Sequence, residues 1–377
     1  MKPLSIYIHI PFCRQKCLYC DFLSFSNAQE LWSVYSKALQ QELIQKSVQL
    51  QEYTIQSIFF GGGTPSLLPI SLLQPIFSAL HHHYTISPSC EITLESNPGT
   101  LDSSFLKDLR QLGVNRLSIG VQAWQNHLLK KIGRIHTIEQ FVENYHAARS
   151  VGFDNINLDL MFALPEQSLV HWEETLKHII SLQPEHISAY SLIVEPNTPL
   201  YELYHQKKMF FPNDTLDREM YRLANDILSH HGYHRYEISN FAKKGKESYH
   251  NQVYWKTQEY MGFGLGAHSY LNGTRFHNTC TMKTYLDAID DFSLQIEEIE
   301  HLTKTQQYEE FMFMGLRMTE GVSEKEFWNR FQLQMQDVYG DTLKKLISQQ
   351  LLQKHEDSYF LTLHGIDVSN YVFEKFL

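Results

Sequence analysis

No stretch of this 377-residue chain approaches the roughly 20 consecutive apolar residues that a membrane-spanning helix needs. The opening segment, 1–10, is too short for a secretory signal, and Ser5 and His9 make it too polar. The chain is therefore expected to be cytoplasmic. Basic runs are missing as well: 32 Lys and Arg stand against 42 Asp and Glu, a formal net charge of −10. That balance argues against a general binder of nucleic acid or of anionic membrane, because such proteins cluster cations against phosphates. Cysteine is scarce, with five residues, an odd number. Three of them fall within eight residues, and in a reducing compartment that pattern favours metal binding over disulfides. Cys90 and Cys280 stand alone and are expected to be buried small hydrophobes.

What is present is an ordinary globular balance, 43% hydrophobic and 20% charged, with no low-complexity segment, so the chain should fold throughout. Its length suits one large domain and one smaller companion. From Ser5 to about Leu192 the sequence alternates strand and helix patterns. Apolar β-rich runs occur at 5–10, 55–60, 91–95, 116–122, 155–161 and 186–192. Helical spacing occurs at 31–50, 71–84, 103–112, 138–151 and 169–182. Such alternation implies a parallel sheet with right-handed crossovers. A doubly wound open sheet and an incomplete barrel fit equally. Polar and special residues gather just after the strands, so the chemistry should converge on the rim at their carboxyl ends.

After a helix expected at 214–231, the segment 233–278 is rich in Tyr, Gly and His and reads as extended strands and turns. The last portion carries helical patterns at 305–318, 324–331 and 336–350, then a hairpin-like stretch at 351–363. This reads as a small helical domain with a β-wing. The basic stripe that a DNA-binding winged helix needs is missing. The division that follows is a core over 1–232, a connecting β-rich segment over 233–300 and a helical domain over 301–377.

In Cys13-x3-Cys17-x2-Cys20 three thiolates can wrap one loop around a cubane cluster, and no fourth cysteine stands nearby as a ferredoxin site requires. One iron is then open to a small chelating molecule, for which an amino-acid end with its amine and carboxylate is suited. Zinc is the competing reading, but no His follows at finger spacing.

That spacing, with Tyr7-Ile8-His9-Ile10-Pro11-Phe12 before it and Tyr19-Cys20-Asp21-Phe22 closing it, resembles the radical S-adenosylmethionine superfamily. Within that superfamily it is similar to the oxygen-independent coproporphyrinogen III oxidase group, and there to the heme chaperones. The resemblance spans essentially the whole chain. It implies an α/β fold, a partial (β/α)6 barrel of the radical SAM type followed by a small C-terminal helical, winged-helix-like domain. It also implies a 4Fe-4S cluster on Cys13, Cys17 and Cys20, with S-adenosylmethionine on the open iron. Positions matching the family's cofactor contacts are Tyr7, Gly62, Gly63, Thr64, Glu95, Gln122, Arg134 and Asp159. Glycines in Gly61-Gly62-Gly63-Thr64-Pro65 allow close backbone approach, and Arg134 can pair with a carboxylate.

His250-Asn251-Gln252-Val253-Tyr254-Trp255 resembles the His-Asn-x-x-Tyr-Trp motif of heme chaperones, which makes His250 a candidate axial ligand of heme. The oxidases of the group carry a further cysteine two residues past the third and an amino-terminal extension; here Phe22 stands at that place and the chain begins twelve residues before Cys13. The expected function is therefore binding of heme and its transfer to an acceptor protein, such as a membrane respiratory enzyme. Oxidative decarboxylation of coproporphyrinogen III is the alternative. The resemblance further suggests a flavodoxin- or ferredoxin-like electron donor and a homodimer.

Overall fold

The computed structural model describes residues 1–288 and 296–377; part of the connecting segment expected over 233–300 thus lies outside the described residues. Six strands carry the expected rhythm: β1 (Lys2–Ile10), β2 (Tyr53–Gly62), β3 (Ile86–Ser96), β4 (Arg116–Gln122), β5 (Ile156–Phe162) and β6 (His186–Ser191). They lie side by side in sequence order and all adjacent pairs are parallel. The intervening helices, among them Trp32–Ser47, Ile70–His83, Ser103–Gln111, Ile138–Ser150 and Leu169–Ser181, fall within a few residues of the expected ones. Several start as the sequence signals promise. Thr137 and Gln140 form a capping box, as do Ser168 and His171, each satisfying amides that the first turn leaves open.

The strands alternate in a way that defines an inside. Ile6, Ile8 and Ile10, or Leu117, Ile119 and Val121, are buried against the helices. The intervening positions include polar residues that bond one another between neighbouring strands on the inner face: Ser57 donates to Ser5 at 2.7 Å, and Asn157 donates to Ser118 at 2.7 Å. Two opposed faces, one apolar and one polar, are what a partial barrel with a wet interior requires.

The barrel stays open, and both edges are extended. On one side β7 (Asn240–Ala242) pairs antiparallel with β6. On the other, β8 (Tyr260–Phe263) joins β1 in parallel and leads antiparallel into β9 (His268–Leu271), β10 (Thr274–Asn278) and β11 (Ile296–His301). The C-terminal part folds as helices Lys304–Gly315, Glu324–Phe331 and Met335–Ser348 with a three-stranded wing of Val322–Ser323, Leu352–His355 and Ser358–Leu361. The expected α/β class, partial barrel and winged helical end are all observed.

Two expectations fail. The segment read as extended strands and turns also contains a helix, Tyr249–Trp255. Its aromatic sequence has modest helix propensity, and the helix is held by a distant carboxylate: Glu91, midway along β3, accepts from the amides of Tyr249 and His250 at 3.1 Å each. Cys280 is exposed rather than buried, because it lies just past the end of β10 at the sheet's outer margin. Cys90 is buried as expected.

Candidate functional site

At the carboxyl ends of the strands a cleft of about 1140 Å³ opens. Cys13, Cys17 and Cys20 line one side of it, on the loop that leaves β1; Gly62, Gly63, Glu95, Gln122 and Asp159 line the rest. The three thiols are free and partly exposed. Thr64 approaches the Cys13 sulfur, Oγ1 to Sγ 3.7 Å, and accepts from Asn97 at 2.8 Å. Thr64 itself faces a smaller adjoining hollow, which it shares with Arg14 and His136.

The glycines after β2 are there because nothing larger fits. Gly62 has φ of +109°, and a Cβ on it would lie 2.4 Å from the His9 ring. A Cβ on Gly63 would lie 2.5 Å from the Phe12 carbonyl oxygen. His9 shares a hydrogen bond from Nε2 with the carbonyl of Leu23 at 2.8 Å, so the glycine turn abuts the residue that holds the far end of the cysteine loop. The Gly62 amide in turn donates to Glu95 at 3.2 Å.

Charge in the cleft is arranged in two halves. Glu95 and Asp159 stand together. Burial and the Asp159 charge push the Glu95 carboxyl up to about 8. Asp159 accepts from Ser118 and Asn157, both at 2.8 Å. Opposite stands Arg134, donating to Asn97 at 2.5 Å and to Tyr19 at 2.6 Å while its Nε is buried without a partner. A guanidinium desolvated against neutral partners, with donor capacity left over, is matched to a carboxylate ligand. The facing acids suit an ammonium or sulfonium cation.

A zwitterionic amino acid carrying a positive sulfur therefore fits this cleft, and three adjacent thiols fit an iron–sulfur cubane. Among the described residues no three His, Cys, Asp or Glu side chains, the three cysteines included, converge on a point where they could hold a single metal ion; the cysteines share one loop and one wall of the cleft, as ligands of separate irons in a cluster would.

Most of the expected positions are brought together. Tyr7 is not among the residues lining the cleft: its ring lies behind Gly61, and its hydroxyl shares a hydrogen bond with His9 Nδ1 at 3.0 Å. Asn97, Tyr19 and Ser118 were missed by sequence reading. Asn97 and Tyr19 orient Arg134, and Ser118 orients Asp159. Asn97 carried the one available signal, in the polar run Glu95-Ser96-Asn97-Pro98 that closes β3.

His250 requires a correction. It sits at the opposite end of the barrel, 1% exposed. Its Nδ1 shares a hydrogen bond with Ser57 at 2.8 Å, its Nε2 with Tyr254 at 2.9 Å, and its ring stacks on Phe59 at 5.0 Å between centroids. Burial, aided by the Arg116 charge, pushes its pKa down to about 3. Both nitrogens are engaged in the barrel floor, so neither is free to ligate a heme iron in this conformation. Phe22, by contrast, lies at the cleft with its side chain 63% exposed.

Residues 7–179 match the Radical SAM superfamily and residues 302–368 the HemN C-terminal domain. The chain is 40% identical over 376 residues to "Heme chaperone HemW" of Bacillus subtilis (strain 168), covering 99% of each chain. It is 34% identical to the protein of the same name from Escherichia coli (strain K12), covering 100% of this chain and 99% of that one. Among solved structures it is similar to the coproporphyrinogen III oxidase HemN from Escherichia coli, with a TM-score of 0.87 and 22% identity over 100% of this chain and 90% of that one. That likeness concerns the fold.

Proposed function

The chain belongs to the HemW heme-chaperone family of the radical SAM superfamily, and from that premise we propose that it binds heme and passes it to an acceptor protein, under the control of a 4Fe-4S cluster and bound S-adenosylmethionine. Cys13, Cys17 and Cys20 hold the cluster. Its open iron and its electrons supply whatever sulfonium cleavage the protein performs. Arg134 binds the cofactor's carboxylate, Gly62 and Gly63 offer it backbone, and Glu95, Gln122 and Asp159 take its amine and ribose hydroxyls. Tyr7 supports Gly61 and His9 from behind rather than contacting the cofactor. The acceptor is a protein reached from the cytoplasm, such as a membrane respiratory enzyme; no helix among the described residues is long and apolar enough to cross a membrane itself.

The observation that carries the carrier reading over the oxidase is Phe22. It stands where the oxidases have a further cysteine, and it presents an exposed apolar ring at the cleft. The test is anaerobic. The cluster is reconstituted, iron is counted, and the protein is titrated with S-adenosylmethionine and with heme. Coproporphyrinogen III is then incubated with the reduced protein. Saturable binding of both ligands without protoporphyrinogen by mass spectrometry supports the reading. Absence of a heme-dependent absorbance change would sink it, and decarboxylated product would favour the oxidase.

A further inference from the structure

A second cavity, of about 640 Å³, lies in the seam between the segment after β6 and the C-terminal helical part. The seam is built by backbone: Glu237 bridges to Met318 in antiparallel fashion, and the Thr319 amide donates to the Tyr236 carbonyl at 3.0 Å. The walls are largely apolar, with Leu316, Met318, Phe360 and Leu361 among them.

Two cations break that apolar lining. Arg235 and Arg317 both face the cavity, and both have a buried Nε without a hydrogen-bond partner. Arg235 spends one donor on the Tyr221 hydroxyl, at 2.6 Å. The Arg317 guanidinium makes no hydrogen bond or close ion pair among the described residues; it lies 4.5 Å from the centroid of Trp255, whose own Nε1 is buried and unpartnered. The one acid in the cavity, Glu237, already accepts from the Ser239 amide at 2.9 Å. Burial raises its pKa, and the Arg317 charge draws it back, so Glu237 and Arg317 act on each other across the cavity without a hydrogen bond between them. An apolar cavity with two under-used guanidinium groups lacks a flat apolar ligand bearing carboxylates.

We infer that this seam cavity binds the heme cargo, with Arg317 and Arg235 receiving the two propionates and the apolar walls covering the macrocycle. The assignment rests on the heme-carrier reading above. It gives the His-Asn-x-x-Tyr-Trp motif a role that burial of His250 denies to its histidine. Trp255, at the far end of the same short helix, supports Arg317 from beneath, while His250 is anchored to β2 in the barrel floor.

The probe is heme itself beside its dimethyl ester, in which both propionates are blocked, titrated into the full-length protein by absorbance. Wild type should bind heme at least tenfold more tightly than the ester. Arg317→Gln should weaken heme by about tenfold or more and narrow that gap, while Arg317→Lys, keeping the charge, should fall between. Melting temperature and S-adenosylmethionine binding of each variant report that the fold is intact. Equal heme affinity in wild type and Arg317→Gln, or equal affinity of wild type for heme and its ester, overturns the seam site while leaving the carrier reading standing. No heme binding by wild type removes the carrier reading and the site with it.

Discussion

Replacing Arg134 by Leu separates ligand binding from folding with unusual clarity, because the structure gives the side chain so little to do for the fold. The guanidinium is fixed by two neutral partners, Asn97 and Tyr19, and its Nε has none. Substituting an apolar residue relieves a desolvated charge that has no carboxylate partner but strands the Asn97 oxygen and the Tyr19 hydroxyl, so stability should fall by only about 1–2 kcal/mol. Binding is another matter. A carboxylate seated on the guanidinium makes charge-assisted hydrogen bonds worth about 1.5–3 kcal/mol each, and after the ligand's own desolvation a net loss of about 3 kcal/mol is expected. At a factor of ten per 1.4 kcal/mol, that is roughly a 100-fold rise in the Kd for S-adenosylmethionine. Arg134→Lys should recover part of it, since an ammonium attracts a carboxylate without offering the planar fork. The assay is calorimetric titration of S-adenosylmethionine into cluster-loaded protein, with thermal melting alongside. Binding within threefold of wild type for Arg134→Leu would refute the carboxylate assignment, and loss of binding accompanied by a collapsed melting temperature would refute the claim that Arg134 is spare in the fold.

Glu95, held up to about 8, is mostly protonated at pH 7; a cationic sulfonium or amine beside it favours the carboxylate, so cofactor binding should release a proton and tighten as pH rises from 7 to 9. Calorimetry in buffers of different ionisation heat measures the release, and Glu95→Gln should flatten the pH dependence. Gly62→Ala places a methyl 2.4 Å from the His9 ring at a φ of +109°; a loss of about 2–4 kcal/mol in stability by denaturant melts is expected from strain and overpacking together. His250→Ala should leave Ser57 and Tyr254 without their partner and cost about 2–4 kcal/mol of stability while heme affinity stays near wild type. The wild-type imidazole, neutral down to about pH 3 when folded but protonated below about 6.5 when unfolded, adds stability that is present above pH 6.5 and lost as pH falls toward 3. Urea melts over that range should show the loss in wild type and a shallower one in His250→Ala.

The chain order of strands and helices was legible because each element carries its own local signal, and the cysteine spacing because all three ligands come from one loop. Arg116 through Gln122 shows both what such reading captures and what it leaves out. The run Arg-Leu-Ser-Ile-Gly-Val-Gln reads as a buried strand, and it is one, but only the assembled barrel reveals that Arg116, Ser118, Gly120 and Gln122 face a polar lumen while the residues between them face helices. Asn97, Tyr19 and Ser118 escaped for the same reason: each acts by orienting a side chain 37, 115 or 41 residues away. His250 was misjudged because a histidine's chemistry depends on what its two ring nitrogens touch: Tyr254, on Nε2, lies within the motif, but Ser57, on Nδ1, comes from a strand 193 residues earlier. A motif read along the chain shows which residues travel together. It does not show that its two ends face different compartments, the histidine closing the floor of the barrel and the tryptophan lying under a cation in the seam.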